Sequence, residues 1–166
     1  MNHAQTSSPV ETNHRQTLVR FRLEGQRYAL RLEAVDRVIR AVAVTPVPET
    51  PRFVLGLINL AGQLLPVCSL RGCLGWPDRA IRAEDQFVIA RTSRLGLALM
   101  VDEVSGLSEH NVAQTVEPGN VLPGRGCRVE GLAKLDGDII LIYDLEKLFS
   151  QTDQERILLA QATAKL

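Results

Sequence analysis

GLINLAGQLLPVCSL, residues 56–70, lies over GLAKLDGDIILIYDL, residues 131–145, when the chain is displaced by 75 positions. The two stretches are identical at Gly56/Gly131, Leu57/Leu132, Leu60/Leu135, Gly62/Gly137 and Leu70/Leu145. Aliphatic also meets aliphatic at Leu64/Ile139, Leu65/Ile140 and Val67/Ile142. Each stretch has two apolar runs around a short turn, Ala61-Gly62 in the first and Asp136-Gly137, a favoured hairpin dipeptide, in the second. A displacement of 69 places YALRLEAV (28–35) over LALMVDEV (97–104), with Glu33 facing Asp102. The order hairpin, acidic turn, Gly-led hairpin, short helix thus occurs twice. The reading is two related β-lobes, near residues 18–80 and 86–148. Each is too small to bury its own faces, so the two share an apolar seam.

The rest of the chain fits around this repeat. Residues 1–16 are polar and read as a loose tail. LVRFRL (18–23) and RYALRL (27–32) alternate apolar and polar around EGQ, a hairpin signal. Residues 33–40 read as a helical turn that finishes extended, and TPVPETP (45–51) as a proline-stiffened connector. SLRGCLGW (69–76) reads as a short helix ended by Gly75. A second hairpin turns at Ser93, and the region 108–126 reads as loop-rich. Residues 151–166 form a C-terminal helix, with Thr152 and Glu155 placed as a capping box. Pro66 interrupts a strand pattern and suits a sheet edge or a bulge.

Composition bounds the function. Nineteen basic and nineteen acidic residues cancel, so the cationic field of a general nucleic-acid binder is missing. Met1–Thr17 has no apolar core of a signal peptide, and no run is long enough to span a bilayer, which points to a cytoplasmic protein. Three cysteines, Cys68, Cys73 and Cys127, form no CxxC pair and read as small apolar thiols.

Parts for catalysis are lacking. His3 and His14 lie in the tail, and His110 stands alone in SEHNV, where a solvated side chain is expected. Asp102 and Glu103 are neighbours on a strand, point to opposite faces, and read as a strand-end cap or an exposed acid. LPGRGC (122–127) has the glycines and arginine of a phosphate nest but no helix behind it. No metal, cofactor or catalytic residue is assigned. Surface recognition remains, and Val35, Val38, Val42 and Val44 exceed what one small lobe easily buries.

The motifs, taken in order, resemble one family. FRLEGQRYALRLEAVDRVIR, TPVPETPRFVLGLINLAGQLLPVCSLRGCLGW, GLALMVDEVSGL and VEGLAKLDGDIILIYDLEKLF are similar to the CheW family of bacterial chemotaxis coupling proteins, over roughly residues 17–150. The resemblance implies a mainly β fold of two SH3-like five-stranded β-barrel lobes sharing a hydrophobic interface, with short helices and a C-terminal helix. It implies a non-catalytic, cytoplasmic adaptor at receptor arrays. Its partners would be the regulatory domain of a CheA-type histidine kinase and the cytoplasmic tip of methyl-accepting chemoreceptors, with membrane contact only through the receptors. The competing reading is a β-barrel module for an oligonucleotide or a glycan, against which neutral charge and 4% aromatic residues weigh.

By position, the resemblance carries partner-contacting or supporting roles to Val35, Gly56, Asn59, Leu60, Gly62 and Val104. Two departures stand beside them. Ala61 occupies a turn position where the family commonly has Arg, and Arg37 a strand position where it often has an acid. Exchanging charge in this way alters partner choice more than affinity, so a pathway-specific variant is expected. Asn59 is expected to satisfy backbone groups of its turn.

Overall fold

The computed structural model of the chain describes residues 14–117 and 129–164. Its ten strands are β1 (Arg15–Leu23), β2 (Gln26–Arg31), β3 (Val35–Arg40), β4 (Val54–Leu60), β5 (Gln63–Ser69), β6 (Gln86–Arg91), β7 (Gly96–Val101), β8 (Glu103–Asn111), β9 (Val129–Leu135) and β10 (Asp138–Tyr143). The helices are α1 (Arg71–Leu74), α2 (Leu145–Leu148) and α3 (Gln151–Ala164), and 3-10 turns stand at Leu32–Ala34 and Val112–Gln114.

The strands form two five-stranded sheets, ordered β8-β1-β2-β10-β9 and β3-β6-β7-β5-β4. The two orders correspond strand for strand under the sequence repeat. In each, one parallel pair (β2 with β10, β7 with β5) joins two antiparallel ladders. The lobes are therefore not residues 18–80 and 86–148. Each copy of the repeat places its first hairpin in one sheet and its last three strands in the other. β3 and β8 are the crossing strands, and one lobe is the continuous stretch from β3 to β7. The sequence contained the duplication, but the exchange of halves is a choice of strand partners over long separations.

Why strands here are apolar throughout follows from this arrangement. Phe87, Ile89, Ala98 and Met100 face an interior of the second sheet, while Val88, Ala90, Leu97 and Leu99 join a core shared by both sheets. In the first sheet Ala29, Ile140 and Ile142 face inward, and Tyr28, Leu30 and Tyr143 join the shared core. Alternate residues of one strand thus enter different cores, so both faces are dry. At about 1.5–3 kcal/mol for each fully buried large side chain, this shared layer outweighs any surface contact in holding the lobes together.

Local features repeat as well. The turns Glu24-Gly25, Ala61-Gly62 and Asp136-Gly137 all have two successive positive φ angles, 51 and 77°, 52 and 86°, and 51 and 81°. These are type I′ turns, whose twist matches that of the flanking strands. Bulges break the register of β3 between Val35 and Arg37 and of β8 opposite Arg20/Phe21, at equivalent places. Gly75 ends α1 with φ 85°.

Several expectations are corrected. Pro66 does not lie on an edge strand, because β5 is flanked by β4 and β7. It is tolerated because its partner Leu57 exchanges backbone hydrogen bonds with Thr45 instead (2.8 and 2.9 Å), and because the parallel ladder to β7 starts only at Val67. β8 continues to Asn111, so the loop-rich region begins later than 108. α3 starts at Gln151, and its cap is Ser150, whose Oγ accepts from the Asp153 N–H at 3.0 Å. Thr152 already lies inside the helix. Cys73 is disulfide-bonded rather than a thiol. Cys68 is a buried free thiol, which burial pushes up to about 12. Cys127 and LPGRGC lie outside the described residues, as does most of the tail, whose last two residues, Arg15 and Gln16, belong to β1.

Candidate functional site: the lobe seam and the hairpin tip

Val35 and Val104 are equivalent under the 69-residue repeat, and the structure gives them equivalent places. Each stands at the start of a crossing strand, next to its bulge, pairing with Ala90 and Phe21 respectively. Each is half-buried and packs against the shared core, as does Val38. β3 and β8 are edge strands of their sheets, so these valines mark where the shared core reaches the surface. Arg37 is exposed on β3 and has no ion pair among the described residues, while its neighbour Asp36 is held by Arg91 at 2.7 Å. Val42 is exposed and Val44 packs on the separate interior of the second lobe, so neither joins the seam.

Asn59, Leu60, Ala61 and Gly62 form the tip of the β4–β5 hairpin. Asn59 Oδ1 accepts the Gly62 N–H at 2.9 Å, the turn role expected of it. Ala61 and Gly62 are exposed. Leu60 packs against the interior of its own lobe and not against the shared core. The structure therefore separates the candidate residues into a seam pair and a hairpin tip. Gly56 belongs to neither surface. It is buried at φ 147°, beneath the connector at Val44 and Thr45. Close backbone approach accounts for its lack of a side chain.

A cluster of charges beside the seam escaped the sequence reading. Arg71, at the start of α1, is 1% exposed. It pairs with Glu24 and, at 2.9 Å, with Asp102 Oδ1. Arg79 pairs with Asp85 and Asp102 at 2.7 and 2.6 Å, and Asp102 Oδ2 accepts the Glu24 N–H at 2.8 Å. Burial works against ionisation of Asp102, but the Glu24 N–H and the Arg79 and Arg71 guanidinium groups outweigh it and hold the carboxyl below its usual range. Asp85 is lowered in the same way: burial is overcome by Arg79 and the Arg82 N–H. Asp102 is thus neither a simple cap nor an exposed acid. As expected, Glu103 points elsewhere, to Arg22 at 3.4 Å. The signal for this cluster was an arginine in an otherwise apolar run, SLRGCL, facing acids only through long-range folding.

His110 is buried rather than solvated, with Nε2 2.6 Å from Thr115 Oγ1, and burial lowers its pKa. Several aromatic rings pack on one another: Phe21 stacks on Tyr28, Tyr28 lies against Tyr143 and Phe53 stacks on Phe149. Trp76, half-buried, donates its indole N–H to the Tyr28 hydroxyl at 3.1 Å. No cluster of three or more metal-ligating side chains occurs among the described residues.

Two sheets sharing one core, with crossing strands at the seam, define a two-lobed recognition scaffold. The family model for the CheW-like domain matches residues 17–153. Chemotaxis protein CheW of Thermotoga maritima is 30% identical over 133 residues, covering 79% of this chain and 85% of that protein. Protein PilI of Pseudomonas aeruginosa is 28% identical over 92 residues, covering 55% of this chain. The crystal structure of the scaffolding protein TtCheW from Thermoanaerobacter tengcongensis superposes with a TM-score of 0.76 at 30% identity, covering 84% of this chain and 96% of that one. This chain belongs to the CheW-like domain family. Its fold is the family's pair of SH3-like lobes, and it is a non-catalytic scaffold of chemotaxis signalling rather than an enzyme. None of the described helices is long and apolar enough to cross a membrane.

Proposed function

We propose that this chain is the adaptor of a bacterial chemosensory array, coupling methyl-accepting chemoreceptors to a CheA-type histidine kinase. The observation that carries the reading is the seam, where equivalent half-buried valines, Val35 and Val104, bring the shared core to the surface on two edge strands. Partly exposed branched side chains on edge strands fit the apolar face of a helix, the form of a receptor tip. The hairpin tip at Asn59–Gly62 is a second, separate surface suited to the kinase's regulatory domain. Such an adaptor works by linkage: differential affinity for the states of its partners sets their coupling.

Ala61 and Arg37 make this chain a pathway-specific version of the adaptor. Ala61 leaves the hairpin tip without a guanidinium fork, and Arg37 adds a cation beside the seam that has no ion pair among the described residues. The test is calorimetry of the purified protein with the regulatory domain of its cognate CheA-type kinase, the receptor-tip fragment being added second. Saturable binding in the micromolar range that the receptor fragment modulates is expected. Binding to neither partner overturns the reading. Affinity for an oligonucleotide that falls steeply with salt would instead favour the nucleic-acid alternative.

A further inference from the structure

The sequence repeat exposes an asymmetry between the two crossings. Asp102 precedes β8, and the equivalent position before β3, 69 residues earlier, is Glu33. Asp102 is held by two guanidinium groups and a backbone N–H. Glu33 is exposed and has no ion pair among the described residues. Where the first copy has Arg71 and Glu24, the second has Glu146 and Ser93. There the Glu146 carboxylate accepts from the Ser93 N–H and, at 2.9 Å, from its Oγ, with no cation between. Among the described residues, the β7–β8 crossing is clamped by a buried arginine, whereas the β3 crossing has only the exposed Arg91–Asp36 pair.

That clamp reaches Val104 by two routes. Asp102 stands two residues before it, and its N–H donates to the Arg22 carbonyl at 3.0 Å, fixing the strand entry against β1. Arg79 chelates Asp85, and the next residue, Gln86, accepts the Val104 N–H through Oε1 at 2.6 Å. The routes meet at Arg79, which holds both Asp85 and Asp102, while Arg71 acts on the first through Asp102. Arg71 is buried, so it touches no partner itself.

We propose that Arg71 is a positioning residue for partner binding. Through Asp102 it pins the β7–β8 crossing to the β1–β2 turn and sets where Val104 stands on the seam. The inference rests on the seam being a partner surface, and its test separates the two ideas.

Three variants are compared with the wild type by thermal unfolding, by calorimetry with the kinase regulatory domain and the receptor-tip fragment, and by the amide resonance of Val104. Arg71→Met leaves Glu24 and Asp102 facing a buried apolar group, so it loses both stability and binding. The triple variant E24Q/R71M/D102N removes the charges while keeping shape, and Arg79 retains Asp85. It is expected to unfold cooperatively near the wild-type temperature. Its binding should nevertheless weaken about tenfold or more, with a shifted Val104 amide. Arg71→Lys keeps the charge at a shorter reach and is expected to restore part of both; it supplies the same comparison if the triple variant fails to fold.

Wild-type binding and an unmoved Val104 amide in a folded variant would overturn the proposal. If the wild type binds neither partner, the seam reading fails, and the Val104 amide alone decides whether Arg71 positions the crossing: a shift supports it and an unchanged resonance overturns it.

Discussion

A β-carbon on Gly56 would stand 2.8 Å from the carbonyl carbon of Thr45 and closer still to its oxygen. The connector from β3 to β4 is bonded at this point, Thr45 exchanging both backbone hydrogen bonds with Leu57. The repeat preserves the device. Val116 bridges Leu132 in the same way, beside Gly131.

The two glycines nevertheless differ in what they face. At Gly56 the obstacle is backbone and φ is 147°, whereas at Gly131 the nearest atom is the Thr115 Cγ2 methyl. Gly56→Ala is expected to cost more than about 3 kcal/mol, or to prevent folding, because neither strain nor clash can relax. Gly131→Ala is expected to cost less, since rotation of the Thr115 side chain relieves the clash at the loss of its bond to His110. Urea unfolding of the two variants checks the order; equal losses would refute it.

Ala61 holds φ 52° at the first position of a type I′ turn, where its equivalents are Glu24 and Asp136. A β-carbon in left-handed backbone is unfavourable, so Ala61→Gly is expected to raise stability by about 0.5–1 kcal/mol. Ala61→Arg leaves stability almost unchanged and shifts preference among receptor or kinase partners. Unchanged preference in a competition between cognate and non-cognate partners would remove the case for a pathway-specific adaptor.

Ser150, not Thr152, caps α3. Ser150→Ala is expected to cost about 1 kcal/mol and Thr152→Ala only a few tenths, measured by thermal unfolding. The helix is anchored by buried Ile157 and by the Gln161 amide, which donates to the Leu64 carbonyl at 3.1 Å. Fraying from its start should therefore weaken its docking along β5.

Acid acts in two windows. The folded protein keeps His110 neutral because burial lowers its pKa, while the unfolded chain takes up a proton near pH 6.5. Stability is therefore full above that pH and falls below it. Asp85 and Asp102 are lowered in the folded state, so their contribution is complete above the unfolded value near 3.9 and lost as pH falls through the folded values. The groups facing these acids are Glu24, Arg71, Arg79 and Arg82. His110→Gln is expected to flatten urea midpoints between pH 7 and 5, and E24Q/R71M/D102N to flatten them below pH 4. Wild-type pH profiles in both would show that other groups dominate.

Turns, strands and the duplication were legible because each is written locally. Asp136-Gly137, the alternation of LVRFRL and the period of 75 need no knowledge of distant residues. His110 was misread as solvated because burial of a lone histidine depends on what covers it, here Thr115 at the end of the following turn. Asp102 was misread because its partners Arg71 and Arg79 lie 31 and 23 residues away, and Glu24 lies 78 away.

By itself the sequence determined a β-rich chain built twice over, with tight hairpin turns and a C-terminal helix. Hydrophobic runs, turn dipeptides and repeats act within one or two strands, so their consequences survive without a partner. Only the tertiary structure decided that the repeats exchange halves, that Val35 and Val104 meet one shared core, and that a buried arginine clamps one crossing and not the other. Those outcomes depend on which strand edges pair across the chain, and a sheet edge carries no label of its partner in its own residues.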